Sequence, residues 1–177
     1  LLFLVSALLF GLAGALEYVV PGVWRNIFSF EKIRPLHVSS AVFWILTTAI
    51  GCVLYFLKEH NEQNLKNIKI IRLAFYIFAF SFVGILISYC FGIFGGREYW
   101  EFHPLFSIPI SIGWILFIIV FLSNFKTLKK QPVYVWMWFT GALFFLFTYL
   151  ESNLWLIPEI RNHLIKDMTI QWKSYGS

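Results

Sequence analysis

Five uninterrupted apolar stretches, residues 1–20, 37–57, 70–94, 104–125 and 132–157, dictate what this chain can fold into. Each reaches the roughly 20 residues that a helix needs to cross about 30 Å of hydrocarbon, whereas a membrane strand needs only about ten. The bilayer core has no water to satisfy backbone N–H and C=O groups, so stretches of this length satisfy them internally, as helices. The expected fold is therefore all-α, a polytopic transmembrane helical bundle. Composition agrees: 59% of the 177 residues are hydrophobic and 13% charged, against about a quarter charged in soluble domains. The net charge of +5 is concentrated in short connections and does not describe a nucleic-acid surface.

The chain opens at Leu1, inside an apolar run, and stops at Gly176-Ser177 with no closing signal. It reads as a single membrane domain, the N-terminal fragment of a larger subunit, with residues 158–177 an outer-surface segment leading to a sixth helix. Residues 1–20 lack the basic leader and small-residue cleavage site of a signal peptide.

Basic residues orient the bundle. Lys58, Lys66, Lys69 and Arg72 follow the second span, and Lys126, Lys129 and Lys130 follow the fourth; the opposite side carries Arg25, Lys32, Arg34 and Arg97. Seven against four places the first set in the cytoplasm and the start of the second span at the outer face. Arg161, Lys166 and Lys173 fall on the outer side and run against this trend.

Small residues at spacing four mark lines of close helix approach: Ala7, Gly11 and Ala15 on the first span, and Gly84, Ser88 and Gly92 on the third. On the second span, His37, Ala41, Trp44, Thr48, Gly51 and Tyr55 share one side, a mixture of small, polar and aromatic groups expected to face the bundle interior. Cys52 lies about 22 Å along its helix from His37, while Cys90 ends the third span on His37's side. The two are too far apart for a disulfide and read as packing residues.

The stretch Arg34-Pro35-Leu36-His37-Val38-Ser39 sets one imidazole at the mouth of the second span, with Pro35 suited to a helix start. An ionisable group at a membrane span is a functional candidate, and neutral imidazole is a usual axial ligand of haem iron. A lone histidine near the interface also serves as a snorkelling or capping group. A second axial histidine must come from outside this chain, because His60, His103 and His163 lie in connections or the tail.

The turn Gly95-Gly96-Arg97-Glu98-Tyr99-Trp100-Glu101-Phe102-His103 gathers an arginine, two glutamates and a histidine. Glu98 and Glu101, three apart, could hold a hard cation such as Ca²⁺ or start a proton path, and Arg97 could pair with an anionic group. The alternative is a solvated loop with internal ion pairs. Glu151, near the outer end of the fifth span, and Glu17, on the first, are proton-path candidates or interfacial residues. No nucleophilic triad, phosphate-binding glycine loop, CxxC or HExxH occurs.

The run Phe10-Gly11-Leu12-Ala13-Gly14 through Tyr18-Val19-Val20-Pro21, followed by Arg34-Pro35-Leu36-His37-Val38-Ser39, resembles the first two helices of haem-copper oxidase subunit I. Gly96-Arg97-Glu98-Tyr99 with Glu101, and Trp138-Phe139-Thr140-Gly141 with Phe147-Thr148-Tyr149-Leu150-Glu151, are similar to the nitric oxide reductase branch. The resemblance implies a twelve-helix catalytic subunit of a membrane terminal reductase, of which this is about the first five helices, in the bacterial inner membrane. It implies His37 as an axial ligand of a low-spin haem b, Arg97 as a propionate partner and Glu98 as a calcium ligand. Glu101 would match the branch's second glutamate, with a structural or proton-uptake role. A high-spin haem with non-haem iron or copper would be held by later helices, and electrons would come from a cytochrome c-type subunit or quinol. Nitric oxide reduction to nitrous oxide is the leading expectation. Oxygen reduction by a C-type cytochrome c oxidase is the alternative, because Gln171-Trp172-Lys173 departs from the reductase pattern. A cofactor-free transporter or structural module is the reading from another class, and it lacks the broken helices and inverted repeat of transporters.

Overall fold

The computed structural model describes residues 1–24, 29–61, 65–95 and 99–165. The chain divides into two compact units, Leu1–Lys129 and Lys130–Ser177. Five helices are long and apolar enough to cross a membrane, and no strand occurs among the described residues.

The first unit holds four of them: α1 (Leu2–Val19), α2 (Phe30–Asn61), α3 (Ile68–Cys90) and α4 (Ser107–Ser123), the last entered through a 3₁₀ turn at Pro104–Phe106. Successive helices run antiparallel, each packed on the next. Among α1, α2 and α3 the core is an aromatic trio: Phe3 to Phe82 at 4.4 Å, Phe43 to Phe82 at 5.4 Å and Phe3 to Phe43 at 6.3 Å between ring centroids. Between α3 and α4, Phe78 meets Trp114 edge-on and lies against Gly113, where a Cβ would come within 3.1 Å of its ring. Lipid tails are as apolar as leucine, so such contacts hold helices together by close packing rather than by burial from water. The many exposed leucines, isoleucines and phenylalanines along all the spans belong to that setting.

Two boundaries in this unit differ from the apolar pattern for identifiable reasons. The second helix begins at Phe30, not at Pro35, and passes through the proline. The missing N–H of Pro35 forfeits only the bond to the carbonyl of Glu31, on the exposed first turn. Ile33 and Leu36, on either side, are buried and hold the turn in place. The third helix ends at Cys90 rather than running on to residue 94. Gly92 sits at φ +72°, its N–H bonded to the Tyr89 carbonyl at 2.9 Å, while Ile93 N–H reaches the Ser88 carbonyl at 2.8 Å. This is a glycine-closed C-cap, so Gly92 makes a turn instead of a helix contact.

Gly84 does act as a contact: a Cβ there would lie 2.7 Å from the Phe106 ring. On α1 the small residues that approach α2 are Ala7, Gly11 and Gly14; Ala15 is exposed. Cys52 and Cys90 are free, as their spacing requires, but both are exposed rather than packed.

At the far end of α3, the Asn124 side chain accepts from Lys66 N–H at 3.0 Å, and Asn67 donates to the Ser123 hydroxyl at 3.2 Å. These bonds tie the α2–α3 connection to the end of α4.

The second unit is α5 (Val133–Ser152), followed by short turns at Leu154–Leu156, Pro158–Ile160 and Arg161–Ile165. The helix stops before residue 157 because the Asn153 amide turns back onto the Tyr149 carbonyl at 2.8 Å.

Candidate haem-ligand site

His37 sits in the third turn of α2, half-buried against α1. Its Nδ1 lies 2.8 Å from the carbonyl oxygen of Ala7. A carbonyl only accepts, so Nδ1 carries the hydrogen and donates. In the neutral ring the tautomer follows: Nε2 keeps its lone pair and is the nitrogen able to bind a metal.

Three polar contacts hold the same end of α2 to the end of α3 and the loop after it. Lys32 Nζ donates to the Cys90 carbonyl at 3.2 Å, placing a cation at the negative end of the α3 dipole. Arg34 Nη1 lies 3.4 Å from Glu101 Oε1. The hydroxyls of Ser39 and Tyr89 are 2.9 Å apart, both side chains fully buried. Tyr89 also stacks on Phe94, with centroids 5.2 Å apart. The loop itself is closed by a bond from Gly95 N–H to the Glu101 carbonyl at 3.2 Å. The turn of α2 that carries His37 is thus fixed from both sides, by α1 through the imidazole and by α3 through these contacts.

Glu101 and His37 therefore lie at one end of the bundle, as the loop pattern requires. Arg97 and Glu98 fall outside the described residues. Glu17 is a local staple, its carboxylate accepting from Gly22 N–H at 2.9 Å and Trp24 N–H at 3.0 Å. Glu151 stands on the last turn of α5, in the other unit, with Oε2 buried and without a hydrogen-bond partner among the described residues. His103 closes its own turn, Nδ1 accepting from Leu105 N–H at 3.3 Å. His60 is at the opposite end of α2 from His37, about 34 Å along the axis. No group of three metal-binding side chains occurs among the described residues.

The side of α2 that continues from His37 does not pack inside this unit. Ala41 and Trp44 are half-buried, and Thr48, Gly51 and Tyr55 are exposed. The buried row is Ile33, Leu36, Ser40 and Phe43, because α1 and α3 both flank that neighbouring side. Sequence reasoning missed the use of Ala7 as acceptor, the pairing of Arg34 with Glu101 and the Ser39–Tyr89 bond. The residues were visible, but their partners lie 30 to 67 positions away.

The Ser39–Tyr89 bond carries an asymmetric expectation. In Tyr89→Phe the ring stays stacked and the Ser39 hydroxyl can turn to the Pro35 carbonyl one turn back. In Ser39→Ala the phenol is stranded in a buried site. Thermal denaturation of the purified full-length protein should show about 0.5–1 kcal/mol lost in the first variant and about 1–3 in the second.

The family described as Cytochrome C and Quinol oxidase polypeptide I matches residues 1–171. A Cbb3-type cytochrome c oxidase subunit CcoN1 of Stutzerimonas stutzeri is 28% identical over 115 residues, 64% of this chain and 24% of the relative. A nitric oxide reductase subunit of the same organism is 27% identical over 170 residues, 84% of this chain and 35% of the relative. Cytochrome c oxidase subunit 1 of Rhodobacter capsulatus is 26% identical over 117 residues, covering 65% and 22%. The chain spans about a quarter to a third of the length of these relatives. With five membrane-length helices and a match over nearly its whole length, the chain belongs to the cytochrome c and quinol oxidase polypeptide I family, that of haem-copper oxidase subunit I, as a multi-pass protein of the bacterial inner membrane.

Proposed function

We propose that this chain supplies the entry point for electrons in a membrane terminal reductase, with His37 Nε2 as one axial ligand of a low-spin haem b. The observation that carries this reading is the Nδ1–H bond from His37 to the Ala7 carbonyl. It selects the tautomer a metal needs, and a hydrogen bond on the remote nitrogen raises the basicity of a ligating imidazole and holds its ring. A haem held there supplies a one-electron carrier. Lys32, Arg34 and Ser39 keep the α2 turn bearing His37 in register with α3, so the ligand is presented from a fixed backbone.

Beyond His37, Arg97 would hold a haem propionate and Glu98 would supply a carboxylate to a calcium ion, an oxygen donor of the kind Ca²⁺ takes. Glu101 serves structure, through Arg34, or proton uptake; Glu151 has the same two roles open to it. The second axial ligand and the binuclear centre, a high-spin haem with iron or copper, come from other parts of the full protein. The electron donor is a cytochrome c-type subunit or quinol. Membership in an oxidoreductase family leaves the transporter reading without support.

Nitric oxide is the proposed substrate, reduced to nitrous oxide. The nitric oxide reductase relative aligns over more of this chain than either oxidase relative compared, and the Gly96-Arg97-Glu98-Tyr99 pattern with Glu101 resembles that branch. Oxygen reduction is the second reading, favoured by the similarity to the Cbb3-type oxidase. Purified full-length enzyme with a chemical reductant and a mediator should consume nitric oxide anaerobically and release nitrous oxide. Rapid oxygen consumption with nitric oxide left untouched establishes the second reading instead.

A further inference from the structure

We propose that Gly11 on α1 is a positioning residue for the iron-ligating imidazole of His37, an inference that rests on the proposed role of His37. A Cβ added at Gly11 would lie 2.8 Å from His37 Nδ1 and 2.9 Å from Cε1, and the next nearest atom, at 3.7 Å, is Cγ of the same ring. The obstruction would fall on the ring edge that donates to the Ala7 carbonyl. Helix geometry explains why. The Cα–Cβ bond of a helical residue tilts toward the N-terminus, so a side chain at position 11 overhangs the carbonyl of position 7, one turn earlier. That carbonyl already accepts the helical N–H of Gly11, and the His37 ring has room to bring a second donor to it because position 11 has no side chain. Glycine inside a helix costs about 1 kcal/mol relative to alanine. Here that cost opens one carbonyl to one imidazole.

Gly14 supplies an internal comparison. A Cβ there would meet Ile33 Cγ2 at 3.3 Å and lies within 4 Å of no atom of His37 among its nearest contacts. Both glycines sit on the α1–α2 interface, but only Gly11 bears on the ring.

In the full-length haem-loaded protein, Gly11→Ala should turn the imidazole and weaken its Nδ1–H bond. Electron paramagnetic resonance should show a shifted largest g value for the low-spin haem, and redox titration a raised midpoint potential, since a weaker bond makes a less basic ligand. Gly14→Ala should leave both at wild-type values. Wild-type g values and potential in Gly11→Ala overturn the proposal, and so does an equal shift in Gly14→Ala, which would mean general helix displacement. If Gly11→Ala fails to accumulate, the double variant His37→Ala/Gly11→Ala decides: accumulation equal to that of His37→Ala shows that the ring alone opposed the methyl group, and failure of the double variant overturns the proposal. A His37→Ala protein that keeps its low-spin haem sinks the ligand assignment itself, a different result from an insensitive Gly11.

Discussion

Replacing His37 with alanine in the full-length protein should remove the low-spin haem and leave membrane insertion intact. The two outcomes separate because the imidazole contributes little to the bundle. Its hydrogen bond to the Ala7 carbonyl accounts for about 0.5–1.5 kcal/mol, and that carbonyl keeps its helical partner. The interface between α1 and α2 retains Phe3 against Phe43 and Gly14 against Ile33. An axial iron bond has no such reserve. Among the described residues, His60 is at the wrong end of α2 and His103 is engaged in its own turn, so neither can substitute. Reduced-minus-oxidised spectra should lose the low-spin α-band, and haem content should fall by one equivalent per polypeptide. Wild-type spectra in purified His37→Ala protein would falsify the assignment of the ligand.

Much of the architecture was legible because a bilayer imposes length. Each apolar stretch had to be a helix of about 20 residues, and the five spans stand close to where the pattern drew them. What the pattern misplaced were features set by single bonds. Pro35 reads as a start, yet α2 begins five residues earlier, because Ile33 and Leu36 bury against neighbouring helices. Gly92 reads as one of a row of small contact residues, yet its positive φ makes it the closing residue of α3. On α1, Ala7 and Gly11 were legible as contacts, but the third is Gly14 and not Ala15, a shift of one residue set by how α1 lies across α2. His37 was legible as an unusual residue at the mouth of a span. Its tautomer was not, because the acceptor is a backbone carbonyl and any residue type at position 7 would offer one. The exposed continuation of its stripe, Thr48, Gly51 and Tyr55, shows the same limit: polarity marks a side of a helix as special without saying what that side meets.

Arg34→Gln and Glu101→Gln should produce one shared defect, and their combination should be milder than the sum. The Glu101 side chain is 14% exposed and the Arg34 side chain 44%. The guanidinium is thus solvated on one side, and the carboxylate is mostly withdrawn from water. Removing the arginine leaves that carboxylate with less compensation, which costs more than the pair itself contributes. Removing the glutamate frees an arginine that water can reach, a smaller penalty. We expect about 1–3 kcal/mol lost in Arg34→Gln, under about 1 kcal/mol in Glu101→Gln, and a value near the second in the double variant. Because Arg34 stands one turn before His37, loosening this contact should also speed haem loss, most in Arg34→Gln. The measurements are thermal unfolding and the rate of haem transfer to an acceptor protein, on full-length enzyme. A proton-uptake role for Glu101 predicts the reverse ranking: turnover falls at least tenfold in Glu101→Gln with haem firmly held, while Arg34→Gln turns over normally. That pattern would reject the ion pair as the reason for Glu101 and assign the carboxylate to proton entry.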